Sequence, residues 1–184
     1  MAERRAYERA DEADLVAWAQ AGDQRAFAQL VDQNKSMIYT ICYRICGNAP
    51  DAQDAVQLAL TAAWRNMHRF QHRSRFSTWL YQVARNAALG EIRKRRATPV
   101  GDDLLSLADD TKGFAETLAD VDAVQRALAL IPPDFRAALV LREYSGLSYQ
   151  EIADAEGIKV ETVKTRIARA RKAVALLLEE WGAV

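Results

Sequence analysis

Residues 146–173, "GLSYQEIADAEGIKVETVKTRIARARKA", leave little choice of local structure. Ser148 and Glu151 have the S-x-x-E spacing of a capping box, so a helix starts at Tyr149 with its first N–H groups satisfied by side chains. Ile152 and Ala153 face inward, Gly157 stands where the chain must reverse through positive φ, and Ile158 plugs the angle between two helices. In the last helix Val163, Ile167, Ala170, Val174 and Leu177 step by four and three residues, which makes one apolar stripe. The opposite face carries Lys164, Thr165, Ala168, Arg169 and Lys172. An apolar side on its own domain and a basic, polar side turned outward is the arrangement of a helix-turn-helix whose second helix enters the major groove. Arginine reaches guanine with two hydrogen bonds, and lysine and threonine serve base edges or phosphates.

The formal net charge of zero over 184 residues argues against a simple DNA binder until its distribution is read. Residues 65–97 carry nine Arg/Lys against Glu91, residues 98–124 carry seven Asp/Glu against Lys112, and residues 159–172 carry six Lys/Arg against Glu161. Two basic patches flank an acidic strip. Sparse glycine and proline favour helix. No run is long or apolar enough for a membrane span, and "MAERRAYERADEAD" has no signal-peptide core, so a cytosolic protein without membrane insertion is expected. Two cysteines are too few for a disulfide framework.

The hydrophobic periodicity predicts an all-α chain. Helices are expected over 14–21, 23–46, from the Asn48 cap to about 70, and over 75–96, forming an N-terminal domain of residues 1–97. Residues 98–116 read as an acidic linker, and residues 117–184 as a second domain with helices over 118–130, from Pro132–Pro133 onward, 149–156 and 160–181. Cys42, Cys46, His68 and His72 resemble a zinc set in composition only: in an antiparallel hairpin Cys46 lies near residue 52, about 24 Å along the helix from His68. No phosphate-binding glycine loop, activated nucleophile or paired catalytic carboxylates are present, so neither an enzyme nor a cofactor is expected.

The C-terminal stretch is very similar to the DNA-binding domain of the bacterial extracytoplasmic-function (group 4) RNA polymerase sigma factors. "GDQRAFAQLVDQNKSMIYTICYRICGNAPDAQDAVQLALTAAWRN" followed by "RFSTWLYQVARNAALGEIRKRR" resembles their promoter-melting domain, and the likeness runs in the same order over roughly residues 12–178. It implies two small helical domains, sigma region 2 and sigma region 4, joined by the acidic linker. It implies that Asp54, Gln57 and Leu58 meet the β′ clamp of core polymerase, Leu58 standing where the family commonly has an acid. It implies that Phe70, Arg75, Arg85, Asn86 and Arg93 hold the unpaired −10 strand, an aromatic face and an amide being suited to stack on and read a flipped base. Arg142, Tyr149, Lys164, Thr165, Arg166, Arg169 and Lys172 match the −35 face. The implied partners are core polymerase through clamp and β flap, promoter DNA, and a separate anti-sigma factor; the implied location is the cytoplasm, with nucleoid association in the holoenzyme. Zero net charge then makes sense, because two weak DNA patches become specific only when polymerase fixes their spacing. The alternative, a polymerase-independent helix-turn-helix regulator, leaves the "DAQDAVQ" and "RFSTWLYQVARNAAL" helices without a role.

Overall fold

The computed structural model describes residues 7, 10–97 and 117–183; the acidic linker lies outside them. The described residues form eight α-helices and one short 3₁₀ turn, with no strand. The first four helices are α1 (Glu12–Gln20), α2 (Gln24–Cys46), α3 (Ala49–Asn66) and α4 (Phe76–Ala97). Each of the first three starts at a side-chain cap: Asp11 accepts from the Asp14 N–H, Asp23 from those of Arg25 and Ala26, and Asn48 from that of Asp51. Gly47 ends α2 at φ 90°, a left-handed conformation that costs other residues strain, and so sends α3 back alongside it.

The N-terminal core is asymmetric. α2 contributes Leu30, Ile38, Ile41 and Ile45, and α4 contributes Phe76 and Leu80, all fully buried. α3 presents only Ala52, Ala55, Ala59 and Ala63 inward. A stripe of methyl groups lets α3 lie close to both neighbours while its other face stays free for polar residues. The third helix ends at Asn66, earlier than the periodicity suggests, because Met67–Arg69 tighten into a 3₁₀ turn that buries Met67.

The C-terminal domain comprises α5 (Thr117–Leu130), α6 (Pro133–Glu143), α7 (Tyr149–Glu156) and α8 (Val160–Glu180). Leu128, Val140, Leu141, Ile152, Val163, Ile167 and Ala170 form its core. Val174 and Leu177, expected on the same stripe, are only partly buried.

The two domains pack on each other. Arg136 is 4% exposed and bridges them: Nη1 donates to the Ile45 carbonyl at the end of α2 (2.5 Å), and Nη2 to the carbonyls of Ala129 (2.6 Å) and Ile131 (3.1 Å). Its burial pulls the guanidinium pKa down to about 10. Arg44 reaches Gln125 at 3.1 Å and lies over the Tyr144 ring.

Candidate nucleic-acid and polymerase interfaces

The helix-turn-helix forms as its local signals require. The Ser148 hydroxyl accepts the Glu151 N–H (3.1 Å), and the Glu151 carboxylate accepts the Ser148 N–H (2.8 Å), a reciprocal capping box. Gly157 takes φ 63° and ends α7, and three residues later α8 begins. Because Val163, Ile167 and Ala170 are buried, the remaining register of α8 turns Lys164, Thr165, Arg169 and Lys172 to solvent. Thr165 Oγ1 donates to the Glu161 carbonyl (2.8 Å), and Lys164 pairs with Glu161 at 2.7 Å. Both side chains are thereby oriented along the helix, and both remain on its outer face.

Three members of the expected −35 set are placed differently from these four. Arg142 lies over the Tyr149 ring, 4.8 Å from its centroid, and donates to the Leu147 carbonyl (2.8 Å). It ties α6 to the start of α7, and Tyr149 is partly buried beneath it. Arg166 is 22% exposed and pairs with Glu156 at 2.6 Å.

In the N-terminal domain Asp54, Gln57 and Leu58 share the exposed face of α3, opposite the alanine stripe, with Leu58 49% exposed. Leu58 and Asn86 also line one groove of about 450 Å³ between α3 and α4, together with Thr61, Arg65, Asn66 and Val83. The structure thus brings a residue expected at the clamp beside one expected at the −10 base. Asn86 is exposed, and its amide oxygen accepts from Arg85 Nη1 (2.8 Å). Arg75 and Arg93 are exposed, the latter donating back to the Leu89 carbonyl. Arg95 pairs with Asp51 at 2.7 Å and joins the end of α4 to the start of α3.

Phe70 is 7% exposed. The loop it opens folds back so that its ring packs 5.3 Å from Trp79, 6.0 Å from Phe76 and 5.0 Å from His72. A sequence position between two helices suggested an open aromatic, but the loop closes over its own aromatic cluster. Arg85 is likewise drawn in: its side chain is 12% exposed and lies 3.0 Å from Glu156 of the other domain. Glu156, Asp134 and Arg136 were not singled out by sequence reasoning. The one local signal was a carboxylate closing the helix before Gly157.

Cys42 and Cys46 face α4, each Sγ 3.8 Å from a backbone carbonyl, those of Ala84 and Ala88. Burial pushes both thiols up to about 12. No helix is long and apolar enough to cross a membrane among the described residues.

Residues 30–98 match the family described as Sigma-70 region 2, and residues 122–174 the family described as Sigma-70, region 4. The ECF RNA polymerase sigma factor SigW of Bacillus subtilis is 34% identical over 166 residues, which span 83% of this chain and 89% of that protein. The RNA polymerase sigma-H factor of Pseudomonas aeruginosa is 36% identical over 175 residues, spanning 87% of this chain and 90% of its own. Among solved structures, CnrH in complex with the cytosolic domain of CnrY is similar with a TM-score of 0.70 and 27% identity, over 92% of this chain and 97% of that one. The sigma factor RpoE of Bartonella quintana, in complex with the anti-sigma factor NepR, is similar with a TM-score of 0.68 and 26% identity, over 83% and 96%. The region 2 match covers the helices that a polymerase-independent regulator leaves without a role.

Proposed function

The chain belongs to the extracytoplasmic-function RNA polymerase sigma factors, the non-enzymatic subunits that direct promoter-specific initiation, and from that premise we propose how its parts divide the task. Residues 1–97 act as the region 2 domain, residues 98–116 as the tether, and residues 117–184 as the region 4 domain. Asp54, Gln57 and Leu58 dock on the β′ clamp, and Leu58 makes part of that contact apolar. Asn86, Arg75 and Arg93 hold the melted −10 strand, with Phe70 forming the floor of the loop beneath it; Arg85 joins them once it is released from Glu156. Lys164, Thr165, Arg169 and Lys172 enter the −35 major groove, Arg142 and Tyr149 set the angle at which α8 is presented, and Arg166 adds a phosphate contact once its pair with Glu156 is broken. The β flap supports the C-terminal domain. A separate anti-sigma factor is the fitting control, as in the complex of the similar Bartonella quintana protein. The protein works in the cytoplasm, on the nucleoid as part of the holoenzyme.

One observation carries this assignment. A helix-turn-helix whose first helix is capped at both ends presents an exposed basic face, in a chain whose other domain independently matches region 2. In this reading the two patches become specific together, once polymerase fixes their spacing. Footprinting of the reconstituted holoenzyme tests it: protection at −35 and permanganate-reactive thymines at −10 are expected. Duplex protection at one site by the free chain, unaltered by polymerase, would overturn it.

A further inference from the structure

Two side chains of α1 hold the two ends of the loop between the 3₁₀ turn and α4. Gln20 Nε2 donates to the Phe70 carbonyl (2.7 Å) and more weakly to that of Met67 (3.4 Å), where the loop begins. The Glu12 carboxylate accepts the Phe76 N–H (3.2 Å), where the loop ends and α4 begins. It satisfies one of the N–H groups that open a helix, and a carboxylate also suits the positive end of the helix. The loop has little else to fix its shape. Among the described residues, Gln71, His72, Arg73 and Ser74 make no backbone–backbone hydrogen bond. His72 takes φ 54°, a left-handed conformation that strains a residue with a side chain. α1 is a firm support, because Leu15, Val16 and Ala19 are buried in the N-terminal core. Glu12 and Gln20 stand at opposite ends of the helix, which sets their two ties about 12 Å apart along its axis. α1 lies outside residues 30–98, which match region 2.

We propose that α1 is a brace for −10 reading: Glu12 and Gln20 are positioning residues that fix the spacing and pose of the loop ends, and so which base the loop accepts, without touching DNA themselves. The proposal rests on the assignment of this loop and Asn86 to the −10 strand. The Gln20 tie fixes the peptide that follows Phe70, and with it the ring that packs 5.3 Å from Trp79 as the floor of the loop. The Glu12 tie fixes the start of α4, the helix that carries Asn86. One tie alone would leave the loop hinged at its other end; the two together hold it at a set distance from the Asn86 amide. A site keeps its selectivity only while supporting contacts hold its parts in place.

The test uses the full chain with core polymerase on linear duplex promoters that carry each of the four bases in turn at each −10 position, with the −35 element held constant. The readout is discrimination, the run-off product from the preferred base divided by that from the others. Gln20→Met keeps the length of the side chain and removes its donor. Glu12→Ala removes the acceptor, and Glu12→Gln restores one. Asp14→Ala makes the same charge change as Glu12→Ala at another exposed position of α1. Gln20→Met and Glu12→Ala are each expected to lower discrimination about fivefold, the scale of one net hydrogen bond, while Glu12→Gln and Asp14→Ala discriminate as the parent does. Urea unfolding accompanies each variant. An equal loss of product at every base, in step with a lower unfolding midpoint, would mark support of the fold alone and overturns the brace. Parental discrimination in either Gln20→Met or Glu12→Ala overturns it too, as does a loss from Asp14→Ala that matches the loss from Glu12→Ala. Asn86→Ala separates the two levels. If it discriminates as the parent does, the −10 assignment fails and the brace with it. If Asn86→Ala alone loses discrimination, the assignment stands and the brace falls.

Discussion

The guanidinium of Arg142 stacks on the Tyr149 ring at 4.8 Å and donates to the Leu147 carbonyl at 2.8 Å. The residue therefore links the end of α6 to the first turn of the helix-turn-helix, and under the proposed function its effect on −35 recognition runs through orientation. A stacked cation and a hydrogen bond to a carbonyl are each worth about 1 kcal/mol. Arg142→Ala should lower the unfolding midpoint of the C-terminal domain and weaken −35 binding together, with little change in the salt dependence of binding. A residue that only neutralised a phosphate would leave the midpoint alone and reduce the salt slope.

Phe70 is part of the aromatic cluster with Trp79, Phe76 and His72. Phe70→Ala should cost the N-terminal domain about 3 kcal/mol in urea unfolding, near the lower end for a buried phenylalanine because its edge is open. Unchanged stability with lost promoter melting would instead mark a ring that meets only the base.

Two carboxylates at opposite ends of α7 titrate in opposite senses. The Ser148 N–H and hydroxyl, the Thr78 hydroxyl and the nearby Arg75 charge hold Glu151 below its usual 4.5. Its contribution is present above 4.5 and is lost as the pH falls through the lowered value. Burial holds Glu156 above 4.5, aided by Asp134 and opposed by Arg85 and Arg166. Protonation therefore favours the packed form, and that contribution is lost as the pH rises through the raised value. Scattering and circular dichroism should show the free chain tightening as the pH falls from neutrality towards 4.5, then losing helix-turn-helix order below it. Expansion on mild acidification would contradict the sign for Glu156.

Cys42 and Cys46 sit against α4 with thiols raised to about 12, so almost no thiolate exists near neutral pH. Iodoacetamide should label them only as fast as the N-terminal domain opens. Rapid labelling of the native chain would reopen a redox role.

How far these features can be read from sequence depends on their range. The capping box of Ser148 and Glu151, the Asn48 cap and the left-handed Gly157 obey rules that act within four residues, and all three are legible in the order of the amino acids alone. The outward face of α8 follows from period alone. The Arg136 bond to Ile45 joins residues 91 apart, and periodicity says which side chain is buried without saying against what. For the same reason Arg85 reads as a free basic residue until α7 is seen against it. Phe70 looks open because a loop position carries no periodic signal, and only the packing of Trp79 beneath it reveals its burial.

Run-off transcription with purified core polymerase tests the central claim most directly. The chain should initiate at a promoter bearing its −35 and −10 elements. The Lys164→Ala, Arg169→Ala double variant should lose about tenfold or more of that activity, two base or phosphate contacts being worth about 1 kcal/mol each or more, while co-eluting with core as the parent does. Absence of initiation at every promoter, together with tight duplex binding by the chain alone, would contradict the account.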